Sequence, residues 1–296
     1  MRRNKLTVSR VLIHLLFILM CASFIIPMIY VISISFSDEQ ALTQFGYRLF
    51  PKVVSTRAYM HIFQNPTQLL NSYKTTIFFS LVGSTASLLV MALVAYSLSR
   101  SNFVLRKPIT FFIFFTMLFG GGTIPSYILN TQYLGLANNI MVYILPSLAS
   151  AWYIIIMRTF FSQLPQSLVE SAKIDGASEL RIFFQIVFPL SKPVLATVFL
   201  MTLLNKWNDW YTSLLYIRDT NLYSLQYMLQ KILREAEFVK SMSALGVNLN
   251  MDMQTSVPTE PVRFAMVIVA AGPMLVVFPF FQKYFTRGLT VGAVKG

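Results

Sequence analysis

A cluster of amide and aromatic side chains interrupts a long apolar run near residue 208, where the sequence is Asn205-Lys-Trp-Asn-Asp-Trp-Tyr211. Amide and carboxylate groups hydrogen-bond to hydroxyls, and aromatic rings cover apolar C–H faces, a combination that suits a sugar. Polar groups at membrane depth are costly and usually line a path. The alternative is an interfacial aromatic belt, with the Lys206 ammonium extending outward to the lipid headgroups. The sequence leaves both interpretations open, with Asn205 and Trp207 the best path candidates.

A second candidate for a path is the glycine run Gly120–Gly122, which follows another apolar stretch. Consecutive glycines can unwind a helix and expose its backbone groups to a cavity. They can equally allow close helix packing or a kink. The candidate path residues are therefore Asn205, Trp207, Asn208, Trp210, Tyr211 and Gly121.

Catalytic chemistry is not expected on this chain. No GxxxxGK[ST] phosphate loop is present, so the chain should not hydrolyse ATP itself. His14 and His61 are the only histidines, and the sequence offers neither a Ser/His/Asp arrangement nor a metal-ligand cluster. The net charge of +13 does not indicate nucleic-acid binding, because no basic stripe with interleaved aromatics is found. We therefore expect no catalytic residue, no metal and no cofactor on this chain.

The composition points to a membrane protein. Of the 296 residues, 55% are hydrophobic and only 12% are charged, whereas a soluble domain is about one quarter charged. The apolar residues form runs long enough to cross a bilayer, and lipid allows such runs only as helices. The first run is too long for a signal peptide and is expected to stay as a helix. We predict an all-α membrane protein with one transmembrane domain over residues 1–296 and six spans, at residues 11–34, 76–98, 108–129, 140–157, 193–217 and 264–282.

Lysines and arginines predict the orientation of these spans. They are concentrated in the short segments at residues 2–10, 100–107, 158–192 and 283–295, and are fewer in the two long loops at residues 35–75 and 218–263. Since basic residues favour the cytoplasmic side and short loops count most, both termini should be cytoplasmic. The protein should then be a multi-pass protein of a bacterial inner membrane, surrounded by lipid.

The cytoplasmic loop at residues 158–192 carries signals for two short helices. Ser167 and Glu170 have the spacing of a capping box, and Gly176 suits a left-handed helix end. Ser178 can cap the second helix, which should stop near Pro189. Taken singly, Glu170 can be only a cap and Gly176 only a helix stop.

The same loop resembles the EAA motif of bacterial ABC importer permeases, which is Glu-Ala-Ala, three residues, Gly, nine residues, Ile, one residue, Leu-Pro. Ser171 replaces an alanine of the motif and Phe188 replaces the leucine. The residues Asp175, Ala177 and Phe183 further resemble the carbohydrate-uptake branch. The residues at motif spacing are Glu170, Ala172, Gly176, Ile186 and Pro189.

This resemblance implies a coupling helix between spans four and five that docks on a cytoplasmic ATPase. The implied coupling residues are Glu170, Ala172, Asp175, Gly176, Ala177, Phe183, Ile186 and Pro189. The implied partners are a second homologous permease, two copies of an ATPase that carries ATP and Mg, and an external solute-binding protein.

Further segments resemble permeases for polysaccharides, including alginate and rhamnogalacturonan fragments. They are Thr116–Pro125, Ile156–Phe161 and the tail from Phe278. The resemblance implies import of an oligosaccharide, and uronate-bearing fragments are the expectation for the cargo. The alternative from another class is a self-sufficient secondary transporter or channel for a small polar solute. Such a protein should show charges deep in several spans and inverted repeats, and charge is found here in one span.

Overall fold

The structure is a computed structural model that describes residues 8–64, 66–245 and 259–291. Within these ranges the chain is helical and has no β-strand, with an isolated bridge between Ser37 and Val54. It divides into two compact units, Met1–Leu69 with Leu229–Gly272 and Leu70–Met228 with Pro273–Gly296. The prediction of an all-helical chain is confirmed for the residues that the structure describes.

The helices follow one another in the order of the chain. They are α1 (Val8–Ser35), α2 (Glu39–Phe45), α3 (Arg57–Gln64), α4 (Pro66–Ser99), α5 (Arg106–Leu118), α6 (Thr123–Ile128), α7 (Ala151–Phe161), α8 (Gln166–Ile174), α9 (Glu179–Ile182), α10 (Phe188–Leu190), α11 (Lys192–Trp207), α12 (Tyr211–Tyr216), α13 (Leu225–Ala244) and α14 (Glu260–Val291). Short 3-10 helices lie at Ile140–Tyr143, Leu145–Ser147 and Thr220–Leu222, and π-helical turns lie at Leu129–Tyr133 and Phe183–Val187.

Three of these helices are long and apolar enough to cross a membrane without a break. Their apolar stretches are Ser9–Ser35 of α1, the whole of α4 and Glu260–Phe280 of α14. Three further candidates are bent pairs. The bends are 114° between Arg106–Leu118 and Thr123–Tyr133, 48° between Ile140–Ser147 and Ala151–Phe161, and 84° between Glu179–Leu190 and Lys192–Trp207. The described chain reaches six spans only if each bent pair counts as one.

Helix α4 is longer than the second predicted span. Helix α4 starts at Pro66, whereas hydropathy placed the start of the span at residue 76. The preceding turns are polar but anchored, since the Asn71 amide donates to Asn221 Oδ1 at 2.8 Å and Thr76 Oγ1 accepts from the Leu225 N–H at 2.9 Å. Hydropathy finds only the apolar part of a helix, so it misses an extension held by hydrogen bonds.

The first unit contains the short helices of the long loop after α1. Asp38 caps α2, because its Oδ1 accepts from the Gln40 N–H at 3.0 Å, and Gly46 ends the helix with a φ of 69°. Arg57, at the start of α3, lies 3.8 Å from the Asp38 carboxylate. Short helices are thus present in this loop over residues 39–64.

The core of the second unit joins α4, α7, the π-helical turn and α11. Ala92 and Ala95 of α4, Met157 of α7 and Phe183 of the turn are fully buried, and Val198 of α11 is nearly so. Small residues such as alanine let helix backbones approach closely, which is how helices associate where lipid removes the hydrophobic driving force. This core fixes the segment between α7 and α11 against the end of α4.

Candidate functional site

Helix α8 ends in a turn that only glycine forms without strain. Gly176 has a φ of 75°. Its N–H donates to the Lys173 carbonyl at 3.0 Å, and the Ala177 N–H donates to the Ala172 carbonyl at 2.9 Å. These two bonds define a Schellman motif, and Ser178 then accepts from the Arg181 N–H at 3.4 Å to cap α9. The predicted helix stop and second cap are confirmed.

The predicted capping box is wrong. Gln166 is the first helical residue of α8 and Pro165 is its cap position, with no capping side-chain hydrogen bond. Ser167 is therefore already inside the first turn, so its hydroxyl cannot cap the helix. Pro165 has an extended ψ of 122° that sets the chain direction before the helix.

Helix α8 has one buried and one exposed face. Val169 and Ala172 are buried against the core, whereas Glu170 and Asp175 are exposed. Ile174 at the end of the helix is 87% exposed, an unusual position for an isoleucine outside lipid. Sequence reasoning did not single out the exposed apolar residues of this loop, which are Leu168, Ile174, Leu180, Phe184 and Leu190.

The remaining candidate coupling residues divide between core and surface. Phe183 is fully buried inside the chain, so its ring is not available at the surface. Ala177 and Ile186 are half-buried, and Pro189 is exposed inside α10, with α10 ending at Leu190. Phe183 therefore fixes the loop to the core by contact with Tyr96, whose ring centroid lies 5.3 Å away.

A carboxylate that sequence reasoning missed ties the loop to α4. Glu179 Oε1 lies 2.6 Å from Lys173 Nζ, and its Oε2 accepts from the Tyr96 hydroxyl at 2.6 Å. The hydrogen bond from Lys173, followed by that from Tyr96, lowers the pKa of Glu179 below its ordinary value of 4.5. A cleft of about 390 Å³ lies here, lined by Tyr96, Arg100, Glu170, Lys173 and Glu179 among others. The contact joins both short helices of the loop to one transmembrane helix.

The glycine run is a break in the third candidate span. Helix α5 ends at Leu118 and α6 begins at Thr123 after a bend of 114°. Gly122 has a φ of 83° and a ψ of −177°, a conformation open essentially to glycine alone. The run therefore unwinds the helix and also bends it, so the unwinding and the kink that the sequence left as alternatives occur together.

The polar cluster is also a helix break, inside the apolar run predicted as the fifth span at residues 193–217. Helix α11 ends at Trp207 and α12 begins at Tyr211. Between them Asp209 Oδ1 accepts from the Thr212 N–H at 3.0 Å, and the Asp209 carbonyl accepts from Ser224 Oγ at 2.7 Å. The break is thus fixed by its own hydrogen bonds.

The two breaks meet at one cavity of about 500 Å³, within the range of ligand sites. Gly121 and Tyr211 both contribute to its wall. Hydroxyls, an amide and a carboxylate also line it, so it offers many partners for a polar ligand. The lining residues are Gly120, Gly121, Gly122, Thr123, Ser126, Asn130, Val142, Tyr143, Pro146, Ser147, Asp209, Tyr211, Thr212, Leu215 and Tyr216.

The other candidate path residues lie elsewhere. Trp207 is only 4% exposed and belongs to the chain's own core, so its face is not open to a ligand. Asn205 is exposed and donates to the Tyr153 hydroxyl at 3.3 Å. Asn208 caps α11 by donating to the Leu204 carbonyl at 2.9 Å. Asn205, Trp207, Asn208 and Trp210 are all absent from the wall of the cavity.

Lys206 does not extend to the lipid headgroups. Its side chain is 6% exposed, and its ammonium donates to the Tyr143 carbonyl at 3.1 Å and to Ser147 Oγ. Ser147 also lines the cavity, so the cation stands directly behind the wall. Gly83 leaves the space that the lysine fills, since a Cβ there would meet Lys206 Cε at 3.0 Å. The aromatic-belt interpretation is therefore wrong for Lys206.

Comparison with known proteins gives a consistent result. A family model described as "Binding-protein-dependent transport system inner membrane component" matches residues 80–291. "Protein LplC" of Bacillus subtilis (strain 168) is 38% identical over 273 residues, 92% of this chain and 90% of that protein. The "Polygalacturonan/rhamnogalacturonan transport system permease protein YtcP" of the same organism is 36% identical over 282 residues, 95% of each chain.

A solved structure resembles this chain over nearly its whole length. It is the "Crystal structure of a bacterial ABC transporter involved in the import of the acidic polysaccharide alginate". The TM-score is 0.80 at 29% identity, and the match covers 96% of this chain and 99% of that one.

Proposed function

The chain belongs to the family of binding-protein-dependent transport system inner membrane components, and we propose that it is one permease subunit of an ATP-driven oligosaccharide importer. In this role it forms half of a translocation path and catalyses no reaction itself. ATP and Mg bind to a partner chain. The permease names of similar proteins support this assignment.

The coupling loop carries the proposal. Residues 158–192 have the spacing of the EAA motif, and they present a short exposed helix whose far face is packed on the core. An exposed Ile174 beside exposed Glu170 and Asp175 suits a protein partner, because it combines an apolar anchor with charged neighbours. The Glu179 contacts with Lys173 and Tyr96 would transmit a movement of the docked loop to α4. We assign the partner as a cytoplasmic ATPase present in two copies.

The topology follows from this assignment. Each bent pair counts as one span, which makes six, and the coupling helix lies between the fourth and the fifth. Both termini and the loop at residues 158–192 are cytoplasmic, so α9 and α10 of the third bent pair lie on the cytoplasmic side and α11 is its membrane-crossing part. A second homologous permease completes the path, and an external solute-binding protein delivers the cargo.

The cavity between the two breaks is the proposed contact of this chain with its cargo. A carboxylate and an amide can bond to sugar hydroxyls, and the Tyr211 ring, 46% exposed, can cover the C–H face of a sugar. Asn205, Asn208 and Trp210 lie outside this cavity and would meet the cargo only at another stage. Tyr211 and Gly121 are the original path candidates that remain at this contact.

Uronate-bearing fragments are the proposed cargo. The support comes from similar proteins, whose names mention polygalacturonan, rhamnogalacturonan and the acidic polysaccharide alginate. In this chain the Asp209 carboxylate faces the cavity while the Lys206 ammonium stands behind Ser147. The two charges offset one another, so a uronate would depend on further cations from the second permease.

Co-purification tests the assignment against a self-sufficient transporter or channel. The tagged chain is extracted in mild detergent and its partners are identified and counted. We expect an ATPase and a second permease in stable amounts. Transport by the purified chain alone, with no ATPase present, would overturn the proposal.

A substitution tests the cavity. Tyr211→Ala should lower oligosaccharide uptake in a graded manner, about fivefold for a stacking contact of about 1 kcal/mol. Tyr47→Ala removes a ring in the first unit that is 57% exposed, and it should leave uptake unchanged. Uptake that is equal in both variants would contradict the assignment of the cavity.

A further inference from the structure

Three cationic side chains line one cleft that the proposed function does not use. Arg106 and Lys107 begin α5, and Arg158 lies near the end of α7. The cleft measures about 950 Å³ and is separate from the cavity between the two breaks. Its lining residues are Ser101, Asn102, Phe103, Val104, Arg106, Lys107, Thr110, Phe111, Phe114 and Arg158.

The positive charge of this cleft has no acidic counterpart. No Asp or Glu is among the lining residues, and in the stretches that the structure describes no ion pair involves Arg106, Lys107 or Arg158. The sequence explains this, because residues 40–169 contain neither Asp nor Glu. Like charges held in one cleft repel, and the repulsion is larger at the edge of a membrane than in water. An anion bound between them removes that repulsion.

The backbone adds to the positive potential. Helix α5 begins after Leu105 without a side-chain cap. The Arg106 N–H donates to the Phe103 carbonyl at 3.1 Å and Pro108 has no N–H, so the backbone contribution at this end is the positive potential of the helix dipole. This helix has 13 residues, long enough for the dipole to matter at its start. The dipole of α5 therefore reinforces the attraction of the three side chains.

An aromatic wall continues from the cations along α5. Phe111 is 72% exposed and Phe114 is 46% exposed, and Phe112 beside them is 66% exposed. A free phosphate would satisfy the cations but would leave these rings without a partner. A ligand with an anionic head and an apolar tail satisfies both parts of the cleft.

We propose that this cleft binds an anionic phospholipid, with its phosphate between Arg106, Lys107 and Arg158 and its acyl chains along the Phe111 and Phe114 side of α5. The geometry matches the basic pockets between membrane helices that hold lipid headgroups. Bound there, the lipid joins the start of α5 to the end of α7, next to the loop that leaves α7. The site stands independently of the cargo assignment.

Lipid retention measures the proposal directly. The complex purified through this chain is exchanged into phosphatidylcholine nanodiscs containing a minor fraction of photoreactive phosphatidylglycerol, and the labelled peptides are mapped after irradiation. We expect label within residues 101–114, with little from a photoreactive phosphatidylcholine of the same chain length. Inorganic phosphate should compete only weakly. Equal competition by phosphate, or cross-links from this segment to a protein chain instead, would overturn the proposal.

Matched variants make the test quantitative. Arg106→Gln with Arg158→Gln should weaken phosphatidylglycerol labelling about thirtyfold, since two basic residues are removed and each is worth about 1 kcal/mol near an anionic surface. Arg106→Lys with Arg158→Lys keeps the charge and should retain most of the labelling, which also shows that the cleft tolerates substitution. Arg48→Gln with Lys52→Gln removes the same charge from another exposed loop and serves as the control. Equal loss in the control and the glutamine pair would mean non-specific attraction and would contradict the site.

Discussion

Gly83 provides the space in which Lys206 is buried. A Cβ at residue 83 would stand 3.0 Å from Lys206 Cε and 3.1 Å from its Nζ. The ammonium is fixed by the Tyr143 carbonyl and by Ser147 Oγ, and Ser147 also lines the cavity between the two breaks. A glycine on α4 therefore controls how a cation on α11 supports the wall of the proposed path.

Replacing this glycine should destabilise the protein. Alanine normally stabilises a helix interior by about 0.5–1 kcal/mol relative to glycine. Gly83→Ala should instead lower the melting temperature in detergent, because the methyl group displaces the lysine from its two acceptors. Gly272→Ala is the control, since nothing lies within 4 Å of a Cβ built there. Equal melting temperatures for the two variants would show that Lys206 adapts freely.

The break in the third candidate span should depend on one glycine of three. Gly122→Ala forces alanine into a conformation that costs about 1–3 kcal/mol, so it should shift the break and reduce uptake. Gly120→Ala is the matched control, because Gly120 has no positive φ and a Cβ there meets nothing within 4 Å. Oligosaccharide uptake is measured for both variants. A larger loss of uptake in Gly120→Ala than in Gly122→Ala would contradict the geometry.

The coupling turn should depend on Gly176 in the same manner. Gly176→Leu strains a left-handed residue by about 1–2 kcal/mol and removes the turn between α8 and α9, so substrate-stimulated ATPase activity of the complex should fall while membrane insertion persists. Gly46→Leu, at a helix end in the first unit, imposes strain of about 1–3 kcal/mol because of its φ of 69° and ψ of −175°, and it should leave coupling intact. Unchanged ATPase stimulation in Gly176→Leu would count against the assigned loop.

The Glu179 contact should be sensitive to acid. Since its folded pKa is lowered, its stabilising contribution is complete above the ordinary value of 4.5 and is lost as pH falls through the lowered pKa. The effect is small, because the side chain is 54% exposed and exposed pairs contribute about 0–1 kcal/mol. At neutral pH the Glu179→Gln variant should therefore have a slightly lower melting temperature than the wild type. The two melting temperatures should become equal only at acid pH, where the wild-type carboxylate is protonated. Glu170→Gln, without an ion pair in the structure's described ranges, should show no such convergence.

Local chemistry made part of the site predictable. The stop at Gly176 and the cap at Ser178 depend on residues within a few positions, and both occur as the sequence indicated. The capping box at Ser167 failed because the cap position of α8 is Pro165, two residues earlier, so Ser167 already lies inside the helix. Short-range signals thus located the turns more reliably than the first residue of a helix.

Long-range contacts set the parts that the sequence could not supply. The burial of Lys206 requires the gap at Gly83 on another helix, and the role of Glu179 requires Tyr96, which is 83 positions away. Trp207 was a path candidate because its ring could stack on a sugar, but the packing of α11 buries the ring in the core. Hydropathy likewise located the apolar runs without showing that three of them bend.

Uptake into proteoliposomes tests the central claim most directly. The complex is purified by a tag on this chain and reconstituted into vesicles with the solute-binding protein outside. ATP and Mg are placed either inside or outside the vesicles. Accumulation of a labelled acidic or neutral oligosaccharide is then measured. The account predicts accumulation that requires ATP on the side of the 158–192 loop and that Gly176→Leu abolishes. Accumulation driven by an ion gradient without ATP would contradict it, and would favour a self-sufficient transporter.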